Sequence, residues 1–298
     1  MLNWGIGPIL WLQGFSPLLD LPFKLVTFLG NKEFLILFFP LLYWCVDRRV
    51  GMQVAILFLI SAYLNAVAKM VAAQPRPFQY DTRVKAIVHT GGGGLPSGHT
   101  QGAVVVWGYL AYCTRRPWMW ALAVGMMVLI PLSRLYLGVH FPTDLLGGYA
   151  LGGMILWVYI RVGPKATSWL HKKRSRQYAV AVMGPALMLV FAPSVGNGVV
   201  SAATLMGMGV GVVLERETVH FECNGRWWMR ITRYILGVCV LLGFVKLGAS
   251  LFSEVLPHTA CLFLTYGIVG FWVAFGAPWL FVKLRLTDQG PGRAQENA

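Results

Sequence analysis

Three short polar stretches interrupt an otherwise apolar chain, and they hold the residues whose types and spacing can do chemistry. The first runs Lys69-Met-Val-Ala-Ala-Gln-Pro-Arg76-Pro77. The second is Pro96-Ser97-Gly98-His99, and the third runs Ser133-Arg134-Leu-Tyr-Leu-Gly-Val-His140-Phe-Pro-Thr-Asp144. Three cations, two histidines, one carboxylate and a Ser-Gly turn suit a phosphate group. Arginine offers a planar fork of donors that matches phosphate oxygens, and lysine a compact charge. Ser97 is placed to cap a helix, so the amides of Gly98 and His99 point out of its positive end toward an anion. His140 and Asp144 stand four apart on one helix face. The carboxylate can therefore hold one ring nitrogen and leave the other free as a nucleophile or base. Each stretch alone also fits a blander account: snorkelling cations, an ordinary capped helix, a satisfied histidine. A shared site requires that all three lie on the same side of whatever elements carry them.

Those elements are helices in a membrane. Only 12% of the 298 residues are charged and 57% are hydrophobic, with a mean hydropathy of +0.62, whereas soluble domains carry about 25% charged residues. The expected fold is all-α, a polytopic transmembrane helical bundle. Apolar runs are judged against the roughly 20 residues needed to cross a bilayer. They fall near 33–46, 51–72, 97–114, 118–135, 141–160, 178–191, 195–214, 231–252 and 259–281, about nine spans. Pro75 and Pro77 bracket Arg76 and should stop the second span there. Gly91 to Gly94 give the loop before the third span backbone freedom, as a mobile entrance would need. Pro142 suits the first position of the fifth helix. Residues 1–30 mix Trp4, Trp11 and Phe15 with Asp20 and Lys24, the pattern of an interfacial amphipathic segment. The expected division is then a core over 31–160, a basic cytoplasmic connection over 161–177, accessory transmembrane helices over 178–285 and a disordered polar tail over 286–298.

Charge distribution orients the bundle. Basic residues collect on alternate connections: Arg48 and Arg49, Arg115 and Arg116, the cluster from Arg161 to Arg176, and Arg216 to Arg233. The positive-inside rule puts these in the cytoplasm, and all three polar stretches then face the periplasm or lumen. The formal net charge of +14 is thereby a matter of topology, and nucleic acid is not an expected partner. The start of the chain lacks the basic region of a signal peptide. The five cysteines show no ligand-like spacing and are expected in packing. Asp81 and Asp144 are the only acids between residues 48 and 214, so neither a metal nor another cofactor is expected. Asp81, Arg83, Lys85 and His89 look like a solvated loop. Lys246 interrupts a span near its end, where snorkelling and function compete.

Lys-x6-Arg-Pro, Pro-Ser-Gly-His and Ser-Arg-x5-His-x3-Asp, in this order, resemble the motifs of the type-2 phosphatidic acid phosphatase superfamily. That superfamily includes lipid phosphate phosphatases, bacterial diphosphate-lipid phosphatases, glucose-6-phosphatase and the vanadium haloperoxidases. The stretch from Leu29-Gly-Asn-Lys-Glu-Phe34 to Tyr43-Trp-Cys-Val-Asp47 is also similar, more weakly, to the sphingosine-phosphate phosphatase branch. The resemblance implies a metal-independent phosphatase working through a phosphohistidine. In it His140 would be the nucleophile, Asp144 its orienter and His99 the general acid. Lys69, Arg76, Ser97, Gly98 and Arg134 would hold the phosphoryl oxygens. The implied partners are the bilayer and a phosphorylated lipid, a monoester or a diphosphate. Oligomeric state stays open, as do a phosphotransferase, a sugar-phosphate phosphatase and a lipid-phosphate transporter or scramblase built on the same pocket.

Overall fold

A computed structural model describes residues 3–191, 196–253 and 256–287. The expected disorder of the tail therefore concerns residues 288–298, which lie outside the described residues. Every extended element described is helical. Six stretches are long and apolar enough to cross a bilayer: Arg48–Tyr80, Pro117–Tyr136, Pro142–His171, Asn197–Thr218, Trp227–Gly248 and His258–Lys283. A seventh arises if α2 (Asp20–Phe28) and the helix after it count as one span bent by 46°. This is a multi-pass membrane protein.

The chain divides into two compact units. The first runs through Ile36 and resumes over Leu64–Arg161. In it, α1 (Ile6–Gln13) and α2 precede α3 (Lys32–Leu41), and α4 (Arg48–Ala72) contributes its last turns. One-turn α5 (Pro77–Tyr80), α6 (Gly98–Thr114), α7 (Pro117–Tyr136) and α8 (Pro142–His171) follow. Glycine spacing brings α6 and α8 together. A Cβ on Gly148 would stand 2.7 Å from the Ser97 carbonyl, and one on Gly152 3.0 Å from that of Gln101. Small residues four apart let helix backbones approach this closely in a membrane, and the approach falls on the first turns of α6. The N-terminal helices pack on α7, and Gln13 ties them to the long loop. Its amide nitrogen donates to the Lys85 and Tyr136 carbonyls at 2.7 and 3.0 Å, and its oxygen accepts from Lys85 N.

The second unit comprises Leu37–Tyr63 and the chain from Val162. α9 (Arg174–Val190), α10 (Asn197–Thr218), α11 (Trp227–Ser253), α12 (His258–Phe271) and α13 (Ala277–Lys283) build it. Two π-helical turns, Leu42–Val46 and Trp272–Gly276, dock on each other through the Trp44 indole, which donates to Val273 O at 3.0 Å. Glu215 is fully buried and pairs with Arg48 at 2.5 Å.

Three sequence expectations change here. α8 does not end near residue 160 but runs 30 residues to His171, and α9 starts at Arg174. The basic stretch 161–177 is thus largely helical. Its lysines and arginines are good helix formers, and a helix of about 45 Å overshoots a hydrocarbon core of about 30 Å. Lys246 is exposed on α11, which favours snorkelling over a buried site. Among the cysteines, Cys45 and Cys261 are buried while Cys239 is exposed.

Candidate active site

The three polar stretches converge within the first unit. His140 sits in the connection between α7 and α8, and Asp144 in the first turn of α8, so one short turn presents both. The ring Nδ1 lies 3.0 Å from Asp144 Oδ2, with His140 2% exposed and Asp144 fully buried. The same Oδ2 accepts from the Phe141 amide at 2.9 Å, and Oδ1 accepts from Gln74 Nε2 at 2.6 Å. The carboxylate is therefore held from three directions. Nδ1 donates to it, and Nε2 is left with its lone pair directed at the site. Burial pushes the His140 ring well below the usual histidine range, with Arg134, Lys69, Arg76 and His99 adding to the shift. The ring is neutral near pH 7, the form a nucleophile needs.

Arg76 reaches Nε2 of His140 with Nη1 at 3.4 Å. It caps α5 after an irregular turn in which Ala73 takes φ +44°, the bend that Pro75 and Pro77 anticipated. Most of its donors go to backbone: Nη1 to Val139 O at 2.8 Å, Nε to Gly92 O at 2.9 Å and Nη2 to Gly91 O at 2.8 Å. Lys69 does likewise, donating to the carbonyls of Gly93 and Gly94 at 2.6 and 3.0 Å. The four-glycine run is thus tied to the site by its carbonyls, with Gly92 at φ +73°.

Arg134 differs. It is 3% exposed near the end of α7, donates through Nη1 to Thr27 Oγ1 at 2.7 Å, and keeps a buried Nε without a partner among the described residues. Ser97 caps α6 as expected, its hydroxyl accepting from Thr100 N at 3.4 Å. Its own amide donates to Asp144 O at 2.9 Å, stitching the α6 start to the α8 start. The amides of Gly98 and His99 donate to no backbone carbonyl among the described residues, as expected for the first turn of a helix. His99 places Nε2 2.8 Å from Asn31 Oδ1.

All eight residues singled out from sequence therefore belong to one cluster. Sequence reasoning missed Thr27, Asn31 and Gln74, which stand immediately behind them. The loop residues Asp81 and Arg83 pair with each other at 2.7 Å and lie outside the cluster's bonds.

The model of the PAP2 superfamily matches residues 50–168, and that of the PAP2 superfamily phosphatase transmembrane extension matches residues 199–289. Undecaprenyl-diphosphatase of Sulfolobus acidocaldarius is 34% identical over 39% of this chain and 56% of its own. Sphingosine-1-phosphate phosphatase 1 of Mus musculus is 24% identical over 87% of this chain and 71% of its own. A solved PAP2-type phosphatidylglycerolphosphate phosphatase from Bacillus subtilis is 26% identical, covering 55% of this chain and 86% of that chain, with a TM-score of 0.47. Apart from the mouse protein, the chain spans about a third to just over half the length of the curated relatives it matches.

Proposed function

We propose, from the premise that this chain belongs to the PAP2 superfamily, that it is an integral-membrane phosphatase. Its substrate is a lipid phosphomonoester or diphosphate, cleaved through a phosphohistidine. The observation that carries the reading is the His140–Asp144 pair. It is buried and held at 3.0 Å, with Nε2 turned to Arg76. Lysophosphatidate, phosphatidate, sphingoid phosphates and polyprenyl diphosphates share the chemistry it requires, and the named relatives act on lipids of this kind.

In the first step Nε2 of His140 attacks phosphorus while the bond to the leaving oxygen breaks. Asp144 stabilises the positive charge that develops on the ring. His99 gives its proton to the leaving oxygen, so the alcohol or phosphate departs neutralised. In the second step His99 takes a proton from water, the water oxygen bonds phosphorus, and the P–N bond breaks to release phosphate and restore His140. Phosphoryl transfer needs in-line positioning and charge stabilisation above all. Arg134, Arg76, Lys69 and the Gly98 and His99 amides supply preorganised positive charge, which makes turnover independent of added metal.

The same reading puts the site on the periplasmic or lumenal face, with the C-terminus in the cytoplasm of a bacterial inner membrane. It counts α6 and α9, of 17 residues each, and the bent α2–α3 pair as spans. This gives nine, five for a core that would begin with α2 rather than at residue 31 and end near residue 160, and four accessory. The test is phosphate release from a panel of lipid phosphates by detergent-purified protein in EDTA. His140→Ala should lose release by a factor of at least about 10³. Full turnover in that variant would overturn the mechanism.

A further inference from the structure

The last turn of α2 and the break after it bring two side chains to the site. Thr27 takes a donor from Arg134, and Asn31 meets His99. Asn31 immediately precedes α3, and its carbonyl accepts the Leu35 amide. At such a position the side chain of asparagine ordinarily turns back to cap a first-turn amide. Here its oxygen instead lies 2.8 Å from Nε2 of His99, a residue 68 positions away. The preceding residue makes room for this. A Cβ on Gly30 would stand 2.8 Å from Cδ2 of the His99 ring and 3.2 Å from Ile130 Cγ2. The Cδ2–Nε2 edge of the imidazole is therefore seated on the Gly30–Asn31 turn, and Nδ1 is the nitrogen with no protein partner among the described residues.

We infer that Asn31 is the positioning residue of the general acid: it fixes the Nε2–H of His99, and so assigns the transferable proton to Nδ1. The inference rests on the phosphatase reading above and deepens it. The proton leaves Nδ1 for the leaving oxygen as the P–O bond breaks. It returns from water as the P–N bond breaks, while Nε2–H stays on Asn31 throughout. The N-terminal segment thereby becomes part of the catalytic apparatus. The charged groups that act on His99 are Arg134 from α7, Arg76 from the turn before α5 and Lys69 from α4, all cations that repel a doubly protonated ring, so the anionic phosphate of the bound substrate is what lets it hold the second proton. Lys32 and Glu33, next to Asn31, are exposed. Among these, Asn31 is the one acceptor bonded to the ring.

The experiment compares Asn31→Leu, Asn31→Asp and His140→Ala on two substrates. One is an alkyl phosphate lipid, whose leaving alkoxide needs a proton. The other is p-nitrophenyl phosphate, whose leaving group departs without one. Asn31→Leu should lower the single-turnover rate of alcohol release from the alkyl phosphate about tenfold or more and leave the burst rate of p-nitrophenol release, which reports the first step alone, within a factor of about two. Asn31→Asp, isosteric and anionic, should retain the alkyl phosphatase activity and move its alkaline limb upward by about one pH unit, since a carboxylate favours the protonated acid. Equal losses on both substrates with unmoved pH limbs would make Asn31 merely structural and overturn the inference. An Asn31→Asp variant whose alkaline limb stays in place would do the same. Activity persisting in His140→Ala would instead overturn the phosphatase mechanism itself, so the two failures are distinguishable.

Discussion

Replacing Asp144 by asparagine tests how the nucleophile is held, because three hydrogen bonds decide which way the new amide faces. In the wild type, Oδ2 accepts from both His140 Nδ1 and Phe141 N, and Oδ1 accepts from Gln74 Nε2. If the amide nitrogen takes the Oδ2 position it meets the Phe141 N–H, donor against donor. It also forces the His140 proton onto Nε2, where the nucleophile must be bare. If it takes the Oδ1 position, Gln74 can rotate its side-chain amide to accept, and the tautomer of His140 is kept. The fixed Phe141 amide makes the second arrangement the stable one. What is lost is then the carboxylate charge opposite a ring that becomes cationic. A hydrogen bond to a charged group is worth about 1.5–3 kcal/mol, so kcat should fall about 10- to 100-fold. A forced wrong tautomer would cost about 10⁴-fold, as in serine proteases. Asp144→Ala, which leaves three donors unanswered, should be worse than Asp144→Asn. The assay is single-turnover phosphate release, with trapping of radiolabelled phosphoenzyme. A loss near 10⁴ in a folded Asp144→Asn variant would refute the argument that Phe141 sets the amide. Wild-type kcat would refute the role of Asp144 altogether.

Because burial and the neighbouring cations depress His140, the ring is neutral above its folded pKa and stays active as pH falls through 6.5. The acid limb of kcat/KM should therefore lie below pH 6.5, and a limb at or above 6.5 would contradict this. Arg134→Met removes a buried charge with an unanswered Nε. It should hold or raise the thermal midpoint in detergent while costing kcat/KM about 10²–10³; a folded variant with unchanged kcat/KM would remove Arg134 from the site. Gly148→Ala should push α8 from the Ser97 carbonyl, 2.7 Å from the added methyl. It should lower kcat more than KM changes, and wild-type kcat would mean that the α6–α8 approach does not position the catalytic groups.

Much of this site is legible in the sequence because local rules fix it. Ser97 caps α6 through the preference of serine for that position, Pro142 opens α8, and the His140–Asp144 spacing is set by one turn of chain. The prolines around Arg76 end a helix wherever they occur. The supports are not legible in the same way. Asn31 reaches His99 across 68 residues and Thr27 reaches Arg134 across 107, and neither separation leaves a periodic trace. Composition pointed to an amphipathic segment over residues 1–30, and it could not say that Thr27 and the neighbouring Asn31 lie against Arg134 and His99. The end of α8 was missed because charge was taken as the mark of a loop, whereas a helix leaving the bilayer keeps its hydrogen bonds and changes only its surface.

The division of labour among the cations follows from where their donors go. Three positive groups act on a buried His140 and a half-buried His99, and among the described residues the carboxylate bonded to that pair is Asp144, an arrangement that repulsion would open if nothing offset it. Lys69 and Arg76 answer this by turning to the carbonyls of Gly91, Gly92, Gly93 and Gly94. These supply partial negative charge without adding a side chain that would fill the pocket. Glycine is what allows it. A Cβ on Gly94 would come within 2.9 Å of Asp144 Oδ2, and Gly92 holds a φ that favours glycine. Arg134 has no such carbonyls and spends one donor on Thr27, so it is the cation with most left to offer a phosphoryl oxygen. On the proposed mechanism Arg76 acts chiefly as a wall, with Nη1 3.4 Å from His140 Nε2. Lys69 holds the loop that completes that wall. The sequence makes the three cations look equivalent. On the proposed mechanism their bonding would make Arg134 a ligand, Lys69 a brace and Arg76 a wall.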